Sequence, residues 1–455
     1  MAPSDLHVII AGAGVAGLSL AVMLEKGGIK YTVVERAKEA KYLGSGLALS
    51  VQVMRVFDQI GVLKDLDDVS TRTLGGTWYT QDMKEVASII SSDYKQSFGY
   101  DPLMLGRPEF IRTMLRHVPE EKIMWGKKVM TTMQNENGVM LRFSDNTTLD
   151  GDILVGCDGA YSAVRQSLYQ NLAKKGIKVP ESDLAPLRFQ EFSVLGITKP
   201  LGDSYPELKE KYGLLKVQMG TSASPYKIGL IPIGEGRVAW DISGDHLQQK
   251  AQSATETNFR FSDWDSESMD DLRGELDNLP LIIGGTLGDL INNSDSIARV
   301  MLEDRWFHTW YEGRTVLVGD ACHKMIPSTG QGANQAIVDC VVLANLIHEL
   351  PSKDVKDLSR AFAKYFEIRG ETTKAVIDNS KTLGHVVSAK SGIFAPLLRK
   401  MVFKVASTSF FQKKVKLSMA GRPALNYLPR PDPPSTIKDD FPAMTVGPTK
   451  SSVAV

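Results

Sequence analysis

The first 36 residues combine two short apolar runs with a glycine-rich turn. His7–Ala11 and Tyr31–Glu35 have the length and apolar content typical of buried strands. Between them, Leu18–Lys26 has helical character and is followed by Gly27, a residue type that commonly ends a helix. This order predicts a βαβ unit over residues 6–36. Parallel strands joined through a helix belong to a doubly wound sheet.

Two later apolar runs predict further strands of that sheet. Leu149–Asp158 and Arg314–Asp320 both end in Gly and Asp, as parallel strands do when their carboxyl ends meet a ligand. The pattern of apolar and polar positions changes between residues 185 and 300, where Tyr226–Ile233 and Arg237–Ile242 alternate between apolar and polar residues. Alternation with a period of two predicts an antiparallel sheet inserted into the first domain.

The end of the chain is predicted to contain helices and a tail. Gln331–Leu350 and Ser359–Leu383 have helical patterns, and residues from 429 onward are rich in Pro, Ser and Asp. Between Asn379 and Pro431 there are ten basic residues and no acidic one. A basic amphipathic segment can lie on an anionic membrane. The alternative, which we favour, is a helix packed on the first domain with a solvated basic face.

Composition and charge narrow the functional classes. The 455 residues carry 53 basic and 53 acidic side chains, and zero formal charge argues against a nucleic-acid-binding protein. The chain has three widely spaced cysteines, Cys157, Cys322 and Cys340, which cannot form a disulfide framework, so we predict an intracellular, cytoplasmic protein. No CxxC pattern or His-rich tract suggests a metal site, so we predict no metal. Leu6–Leu24 has no charged residue, but its glycines predict a strand and a helix instead of a signal peptide or a membrane span.

The turn between the first predicted strand and helix matches the dinucleotide-binding pattern GxGxxG. Gly12 permits a tight turn, Gly14 lets the backbone approach a pyrophosphate, and Gly17 lets the helix pack against the strand. Glu35, at the end of the second strand, can accept hydrogen bonds from ribose hydroxyls. The pattern by itself leaves the choice between FAD and NAD open.

Three further motifs point to a family. Cys157–Arg165 (CDGAYSAVR), Gly319–His323 (GDACH) followed by Gly330–Asn334 (GQGAN), and Gly106–Leu115 (GRPEFIRTML) stand in that family's order. They resemble the fingerprints of group A flavoprotein monooxygenases, with a p-hydroxybenzoate hydroxylase-like fold. The resemblance implies an α/β chain with a doubly wound, Rossmann-like, glutathione reductase-type FAD-binding domain, an inserted antiparallel-sheet substrate domain and C-terminal helices.

The resemblance also implies further cofactor contacts, at Ala48, Arg107, Asp158, Asp320, Gly332 and Ala333. Arg107 would approach the ribityl and pyrophosphate region, and Asp320 would bind ribityl hydroxyls. The helix N-terminus at Gly332 would face the pyrimidine edge of the flavin, where the reduced form carries negative charge. Asp158 and Arg165 resemble a pair linked both to FAD and to the use of NAD(P)H.

The stretch that carries substrate contacts in this family differs here. Some members place an Arg and a Tyr over the substrate, whereas Pro225–Ile242 offers Tyr226, Lys227 and Trp240. We take Tyr226 and Lys227 as the candidates for catalytic or substrate contact. Without the Arg/Tyr pair, a small anionic aromatic substrate is disfavoured and a hydrophobic one is expected.

The predicted function is that of an FAD-dependent, NAD(P)H-consuming monooxygenase that inserts one oxygen atom from O2 by hydroxylation or epoxidation. The chain looks most similar to fungal enzymes of secondary metabolism. Two alternatives stay open: an FAD-dependent reductase or dehydrogenase of a lipophilic substrate, without oxygen insertion, and a catalytically silent FAD-binding protein. The sequence does not give the oligomeric state.

The predicted division of the chain follows from these motifs. The FAD-binding domain is assigned to residues 1–80, 101–184 and 301–385, and the substrate domain to residues 81–100 and 185–300. The basic helical segment is assigned to residues 386–428, and a disordered tail to residues 429–455.

Overall fold

The computed structural model describes most of the chain, in nine stretches. They cover residues 2–42, 44–187, 189–202, 205–220, 226–244, 273–274, 276–387, 401–405 and 408–442.

The strands are β1 (His7–Ala11), β2 (Lys30–Val34), β3 (Gly46–Leu49), β4 (Thr71–Tyr79), β5 (Glu85–Ile90), β6 (Leu103–Gly106), β7 (Ile123–Met124), β8 (Val129–Gln134), β9 (Val139–Phe143), β10 (Thr148–Gly151), β11 (Ile153–Gly156), β12 (Phe189–Thr198), β13 (Tyr212–Gln218), β14 (Lys227–Ile233), β15 (Arg237–Ser243), β16 (Ser294–Glu303), β17 (Arg305–Trp306), β18 (Tyr311–Glu312), β19 (Thr315–Leu317) and β20 (His323–Lys324). The helices are α1 (Val15–Lys26), α2 (Val51–Gln59), α3 (Leu63–Asp68), α4 (Tyr94–Phe98), α5 (Arg107–Leu115), α6 (Ala163–Lys174), α7 (Glu181–Leu184), α8 (Leu287–Asn292), α9 (Gly332–His348), α10 (Val355–Val387) and α11 (Ser409–Ser418).

The first sheet is the predicted doubly wound one. Its six strands run in the order β18-β19-β11-β1-β2-β7, and β1 is parallel to both β2 and β11. Nine of the twelve residues of α1 are buried, as is every residue of α9 from Asn334 to Ile347. Burial of β1 and α1 explains the uncharged stretch Leu6–Leu24, which covers both elements. No helix in the described part of the chain is long and apolar enough to cross a membrane.

The second sheet has nine strands and is mostly antiparallel, as predicted. Eight follow the order β16-β12-β15-β14-β13-β4-β6-β3, and β5 pairs with β4. It includes β3, β4 and β6, whose residues were predicted to belong to the FAD-binding domain. One pair, β13 with β4, is parallel. Backbone pairing between strands so far apart in sequence leaves no signal in the period of either strand.

The second sheet has an inner face and an outer face. The inner face carries Lys227, Gly229 and Ile231 of β14 and, paired with them, Ala239 and Asp241 of β15. The sheet curls so that β3 approaches this face: a Cβ on Gly46 would lie 3.0 Å from Ala239 Cβ and 3.2 Å from Ile231 Cδ1. The outer face packs into a separate hydrophobic core, which contains Ile228, Leu230, Trp240, Ile242, Leu276 and Leu290.

The C-terminal segment is packed in one part and exposed in another. Phe403, in a helical stretch over 401–405, is 3% exposed, and its ring centroid lies 5.7 Å from that of Trp78. Phe410 on α11 is 79% exposed. Phe403 is therefore packed, but on the second sheet and not on the first domain as predicted, and Phe410 is not packed. The rest of it, 388–400 and 406–407, lies outside the described residues.

The predicted disordered tail is held against the protein by hydrogen bonds and an ion pair over residues 429–442, although most of its residues stay exposed. Asp439 accepts a hydrogen bond from the Arg422 N–H at 2.9 Å and pairs with Arg55, and both arginine side chains are almost completely buried. The prediction is wrong for this part, because composition does not reveal that one carboxylate pairs with a buried arginine. Residues 443–455 lie outside the described residues.

Candidate active site

Three glycines shape the turn between β1 and α1. Gly12 has a φ of 104°, and a Cβ there would lie 2.6 Å from the carbonyl oxygen of Cys157. A Cβ on Gly17 would lie 1.8 Å from the carbonyl oxygen of Gly12, so α1 passes directly against the turn. At Gly14 the nearest atom is Arg107 Nη2, 3.9 Å away, which leaves open space at the N-terminus of α1. The turn at Gly12 and the close helix approach at Gly17 are present, whereas the contact of Gly14 with a pyrophosphate stays a prediction.

Glu35 follows β2, and its carboxylate faces the same turn. Oε2 accepts a hydrogen bond from the Ala13 N–H at 2.9 Å, and Oε1 accepts one from the Ala37 N–H at 2.9 Å. These two bonds fix a partly buried carboxylate beside the glycine-rich turn. In that position it can accept hydrogen bonds from the hydroxyls of a ribose.

Arg107 begins α5, and its side chain runs past Gly44. The Arg107 N–H donates to the carbonyl oxygen of Ser45 at 2.9 Å. A Cβ on Gly44 would lie 2.5 Å from Arg107 Cδ, and Gly44 has a φ of 139°. Surrounding protein atoms lower the pKa of Arg107 by desolvation, although part of the residue stays exposed, and the charge of Asp320 opposes this shift. An arginine stays charged in proteins, so a cationic Nη2 is the atom nearest to Gly14. No role was predicted for Gly44, because the close approach of a side chain leaves no local pattern in the sequence.

Asp320 lies in the short helical turn, Gly319–Ala321, after β19. Its Oδ2 accepts a hydrogen bond from Lys324 Nζ at 2.8 Å. Burial alone would raise the pKa of Asp320, but the charges of Lys324 and Arg107 help to hold it below its ordinary value. Asp320 is therefore an anion that can accept hydrogen bonds from hydroxyl groups in the cleft.

The start of α9 is tied to β3. The helix begins at Gly332, and no side chain among the described residues caps it. Asn334 Nδ2 donates to the carbonyl oxygen of Ala48 at 2.8 Å, and its Oδ1 accepts from the Ser50 N–H at 2.8 Å. The N–H groups of Gly332 and Ala333 have no acceptor within the helix and lie at its positive end. Asn334, a residue given no role from the sequence, thus places Ala48 beside these donors.

Asp158 stabilises its own loop at the start of α6. Oδ1 accepts from Ser162 Oγ at 2.5 Å, and Oδ2 accepts from the Val164 N–H at 3.1 Å. Burial raises the pKa of Asp158, and these two bonds oppose the increase. Both carboxylate oxygens are thus engaged by the loop, and a direct contact of Asp158 with a cofactor stays a prediction.

Arg165 joins the two fingerprint loops. Its Nη1 donates to the carbonyl oxygen of Ala321 at 2.8 Å, and Nη2 donates to that of Ala160 at 2.7 Å. The guanidinium carbon lies 4.0 Å from the centroid of the Phe307 ring. Ala160 follows β11 and Ala321 follows β19, so one buried arginine fixes the spacing between the two loops. The sequence suggested Arg165 only as the partner of Asp158.

The two candidates for substrate contact separate onto opposite faces of the second sheet. Tyr226 is 4% exposed and packs in the outer core with Trp240, so the structure does not bring it to the cleft. Lys227 belongs to the inner face and is partly exposed. Neighbouring strand residues alternate in direction, so only one of the pair can face the cleft. On the same face, Asp241 lies across Gly229, where a Cβ would be 2.3 Å from Asp241 Oδ1.

A buried polar cluster braces the turn that carries Asp320. Cys322, His323 and Asp339 lie close enough to hold a metal ion. However, Asp339 Oδ2 accepts from His323 Nε2 at 2.5 Å and from the Gly319 N–H at 3.1 Å, and Oδ1 accepts from Arg369 Nε at 2.7 Å. Burial raises the pKa of the Cys322 thiol well above its ordinary value. These contacts make the cluster a brace between the turn, α9 and α10.

The cleft formed by these elements fits a flavin dinucleotide. The open position at Gly14, with the Arg107 cation beside it, suits a pyrophosphate. Glu35 suits the ribose at one end, Asp320 suits a polyol, and the N–H donors at Gly332 suit an anionic ring edge. Each group lies at the carboxyl end of a parallel strand or at the N-terminus of a helix.

A family model described as an FAD-binding domain matches residues 5–227 and 279–380. The chain belongs to this FAD-binding domain family. FAD is therefore its cofactor, and the prediction of FAD is confirmed.

Proteins similar in sequence to this chain include named enzymes. FAD-dependent monooxygenase ausM of Penicillium brasilianum is 28% identical over 443 residues, covering 94% of this chain and 88% of its own length. Aurachin C monooxygenase/isomerase of Stigmatella aurantiaca is 26% identical over 430 residues, covering 92% and 99%. These relatives confirm the predicted class, an FAD-dependent monooxygenase.

Solved structures confirm the fold. Klebsiella pneumoniae HpxO, complexed with FAD and uric acid, matches with a TM-score of 0.71 at 19% identity, over 91% of this chain and 96% of that one. A salicylate hydroxylase substrate complex matches with a TM-score of 0.64 at 19% identity, over 93% and 99%.

Proposed function

We propose that this monooxygenase inserts one oxygen atom from O2 into a small hydrophobic substrate, by hydroxylation or epoxidation, with NAD(P)H as reductant. The inner face of the second sheet carries this proposal. Ile231 and Ala239 meet β3 next to the strand that leads into Arg107, so the cofactor cleft and an apolar sheet face border the same space.

The walls of that space are largely apolar on the side of β13 and β4. Val217 on β13 pairs with Gly229 of β14 on one side and with Trp78 of β4 on the other. Because Gly229 belongs to the inner face, the side chains of Val217 and Trp78 lie on that face as well. Phe403 packs on Trp78, with Met219 and Ala87 in the same cluster. Apolar walls of this kind bind a lipophilic substrate and exclude water from the reacting atoms.

Two ionisable side chains on the inner face are the proposed polar contacts of the substrate. Lys227 and Asp241 are both partly exposed and lie on neighbouring strands, diagonal to one another. A lysine can donate to a carbonyl or phenolate oxygen, and an aspartate can accept from a hydroxyl. We propose that this pair orients the polar end of a mainly apolar molecule.

The residues of the cleft would hold FAD in fixed positions. FAD, when bound, supplies the redox chemistry with NAD(P)H and O2. Glu35 binds the adenosine ribose, Gly14 and Arg107 bind the pyrophosphate, and Asp320 binds the ribityl hydroxyls. The first N–H groups of α9 stabilise negative charge on the pyrimidine edge, because the positive end of the helix dipole adds to their hydrogen bonds.

The proposed setting is biosynthesis of a secondary metabolite inside the cell. The fungal relatives named as FAD-dependent monooxygenases, together with aurachin C monooxygenase/isomerase, support this setting. The three cysteines are free and buried, which suits a reducing compartment.

Incorporation of labelled oxygen tests the proposal. The purified, FAD-loaded protein is incubated with NAD(P)H, 18O2 and the metabolite that accumulates when its gene is deleted. We expect one 18O atom per product molecule. Turnover that consumes NAD(P)H and yields an unlabelled product would establish the reductase alternative, and an absence of substrate-dependent NAD(P)H oxidation would establish a silent FAD-binding protein.

A further inference from the structure

The C-terminal helical stretches leave large apolar side chains in solvent. Met401 is 61% exposed, Val405 56%, Phe410 79% and Leu417 51%. These are four of the twelve large exposed apolar side chains in the described part of the chain, and Phe410 is the most exposed of them. Such a concentration within fewer than twenty residues marks an interaction surface.

These side chains share a helix face with lysines. On α11, Phe410, Lys413, Lys414 and Leu417 stand at positions i, i+3, i+4 and i+7, and all four are exposed. We call this set the outward face of α11. The opposite side of the helix is anchored, because Lys416 pairs with Asp93 at 2.5 Å.

The stretch before α11 repeats the arrangement over one turn. Met401, Lys404 and Val405 are exposed at positions i, i+3 and i+4, while Phe403 between them is buried against Trp78. A hydrogen bond joins the two described stretches, since the Thr408 N–H donates to the carbonyl oxygen of Val405 at 3.0 Å. Each stretch is therefore fixed to the protein on one side and presents apolar and basic groups on the other.

Charge identifies the kind of partner. The whole chain has zero formal charge, yet the sequence from Asn379 to Pro431 contains ten basic residues and no acidic one. Apolar side chains flanked by lysines complement a surface that combines an apolar interior with anionic groups. An anionic lipid bilayer has both properties.

We propose that the outward face of α11, together with Met401 and Val405, docks on the surface of an anionic membrane. Phe410 and Leu417 would enter the interface between headgroups and acyl chains, while Lys413 and Lys414 contact the headgroups. A second copy of the chain fits less well, because a symmetric contact would set these lysines against their own copies.

The docked orientation has a consequence for substrate entry. Phe403 shares its helical stretch with Met401 and Val405, and it packs on Trp78 of the inner face. Docking therefore brings this side of the proposed substrate space next to the bilayer. This consequence rests on the proposed function, whereas the docking itself does not.

Co-sedimentation with vesicles tests the docking. The full-length, FAD-loaded protein is mixed with phosphatidylcholine vesicles with and without phosphatidylserine. We expect binding only to the anionic vesicles, and weaker binding at raised salt. Lys413→Gln with Lys414→Gln should weaken binding about 30-fold, and Phe410→Ser about tenfold to hundredfold.

A matched control uses exposed residues elsewhere. Met133 is 54% exposed and Lys178 is 83% exposed, so Met133→Ser with Lys178→Gln removes similar groups and should leave vesicle binding unchanged. All variants should keep FAD and the wild-type unfolding temperature, because the altered side chains are on the surface. The docking is wrong if the wild type stays in the supernatant, or if the α11 variants bind as well as the control. A dimer that Phe410→Ser converts to a monomer, without vesicle binding, would assign the face to a second copy.

Discussion

Replacing Gly44 by alanine should weaken FAD binding through the side chain of Arg107. A Cβ at Gly44 would lie 2.5 Å from Arg107 Cδ and 2.9 Å from its Cβ, well inside van der Waals contact. The arginine must therefore move, and its guanidinium leaves the space beside Gly14. Loss of a charge-assisted contact of this kind costs roughly 1.5–3 kcal/mol. We expect FAD affinity to fall about tenfold to hundredfold.

The same substitution also strains the backbone, so the two effects need separate measurements. Gly44 has a φ of 139°, where a residue with a Cβ costs about 1–3 kcal/mol of folding stability. Gly61 is the matched control: its φ is 78°, but no atom lies within 4 Å of a Cβ placed there. Gly61→Ala should lower the unfolding temperature and leave FAD affinity unchanged.

A double-mutant cycle with Arg107→Ala isolates the contact with the arginine side chain beyond Cβ. FAD affinity is measured from flavin fluorescence for Gly44→Ala, Arg107→Ala and the double variant. If Gly44 acts through Arg107, its substitution should cost less than about threefold once the arginine side chain is gone. An equal loss in both backgrounds would refute the reasoning, because the effect would then come from the loop itself.

Four further predictions follow from individual contacts. Arg165→Met leaves two loop carbonyl oxygens without their donor, at a cost of about 1–3 kcal/mol in the free energy of unfolding for each lost bond. It should therefore lower both the unfolding temperature and the retention of FAD on dilution. Tyr226→Phe should leave KM unchanged in steady-state assays while Lys227→Ala raises it, because only the lysine lies on the inner face. Burial raises the pKa of Glu303, so the native protein binds the proton of this carboxyl group more tightly than the unfolded chain does. The stability that this proton contributes is lost as pH rises through the raised pKa, and Glu303→Gln should reduce this loss in thermal scans at different pH values. Asp439→Asn removes the partner of a buried arginine and should lower the free energy of unfolding by about 3 kcal/mol in urea titrations.

Several features of the cleft were determined by the sequence alone because they depend on local backbone conformation. The turn of Gly12, Gly14 and Gly17 needs glycine for its φ angle and for close approach, and these requirements stand in a fixed local spacing. The start of α9 at Gly332 follows in the same way from a glycine-rich loop before an apolar helix. Motif order then carried the prediction of an FAD-dependent enzyme.

The tertiary structure decided which side chains meet across the cleft. Gly44 and Arg107 come together because β3 pairs with β6, and Asn334 binds Ala48 across more than 280 positions of sequence. Such pairs depend on backbone pairing and packing between distant elements, which composition and period do not encode. The same is true of Asp439, whose contacts with Arg55 and Arg422 reversed the expectation of a disordered tail.

The contrast is sharpest within one strand. The sequence predicted a strand that starts near Tyr226 and Lys227, and alternation required these neighbours to face opposite sides. Which side faces the cofactor is set by how the second sheet curls toward β3, through contacts of Ile231 and Ala239 with Gly46. The sequence by itself thus determined the two faces, and the packing of the sheet against the cofactor-binding elements decided that Lys227 lies on the side of the cleft.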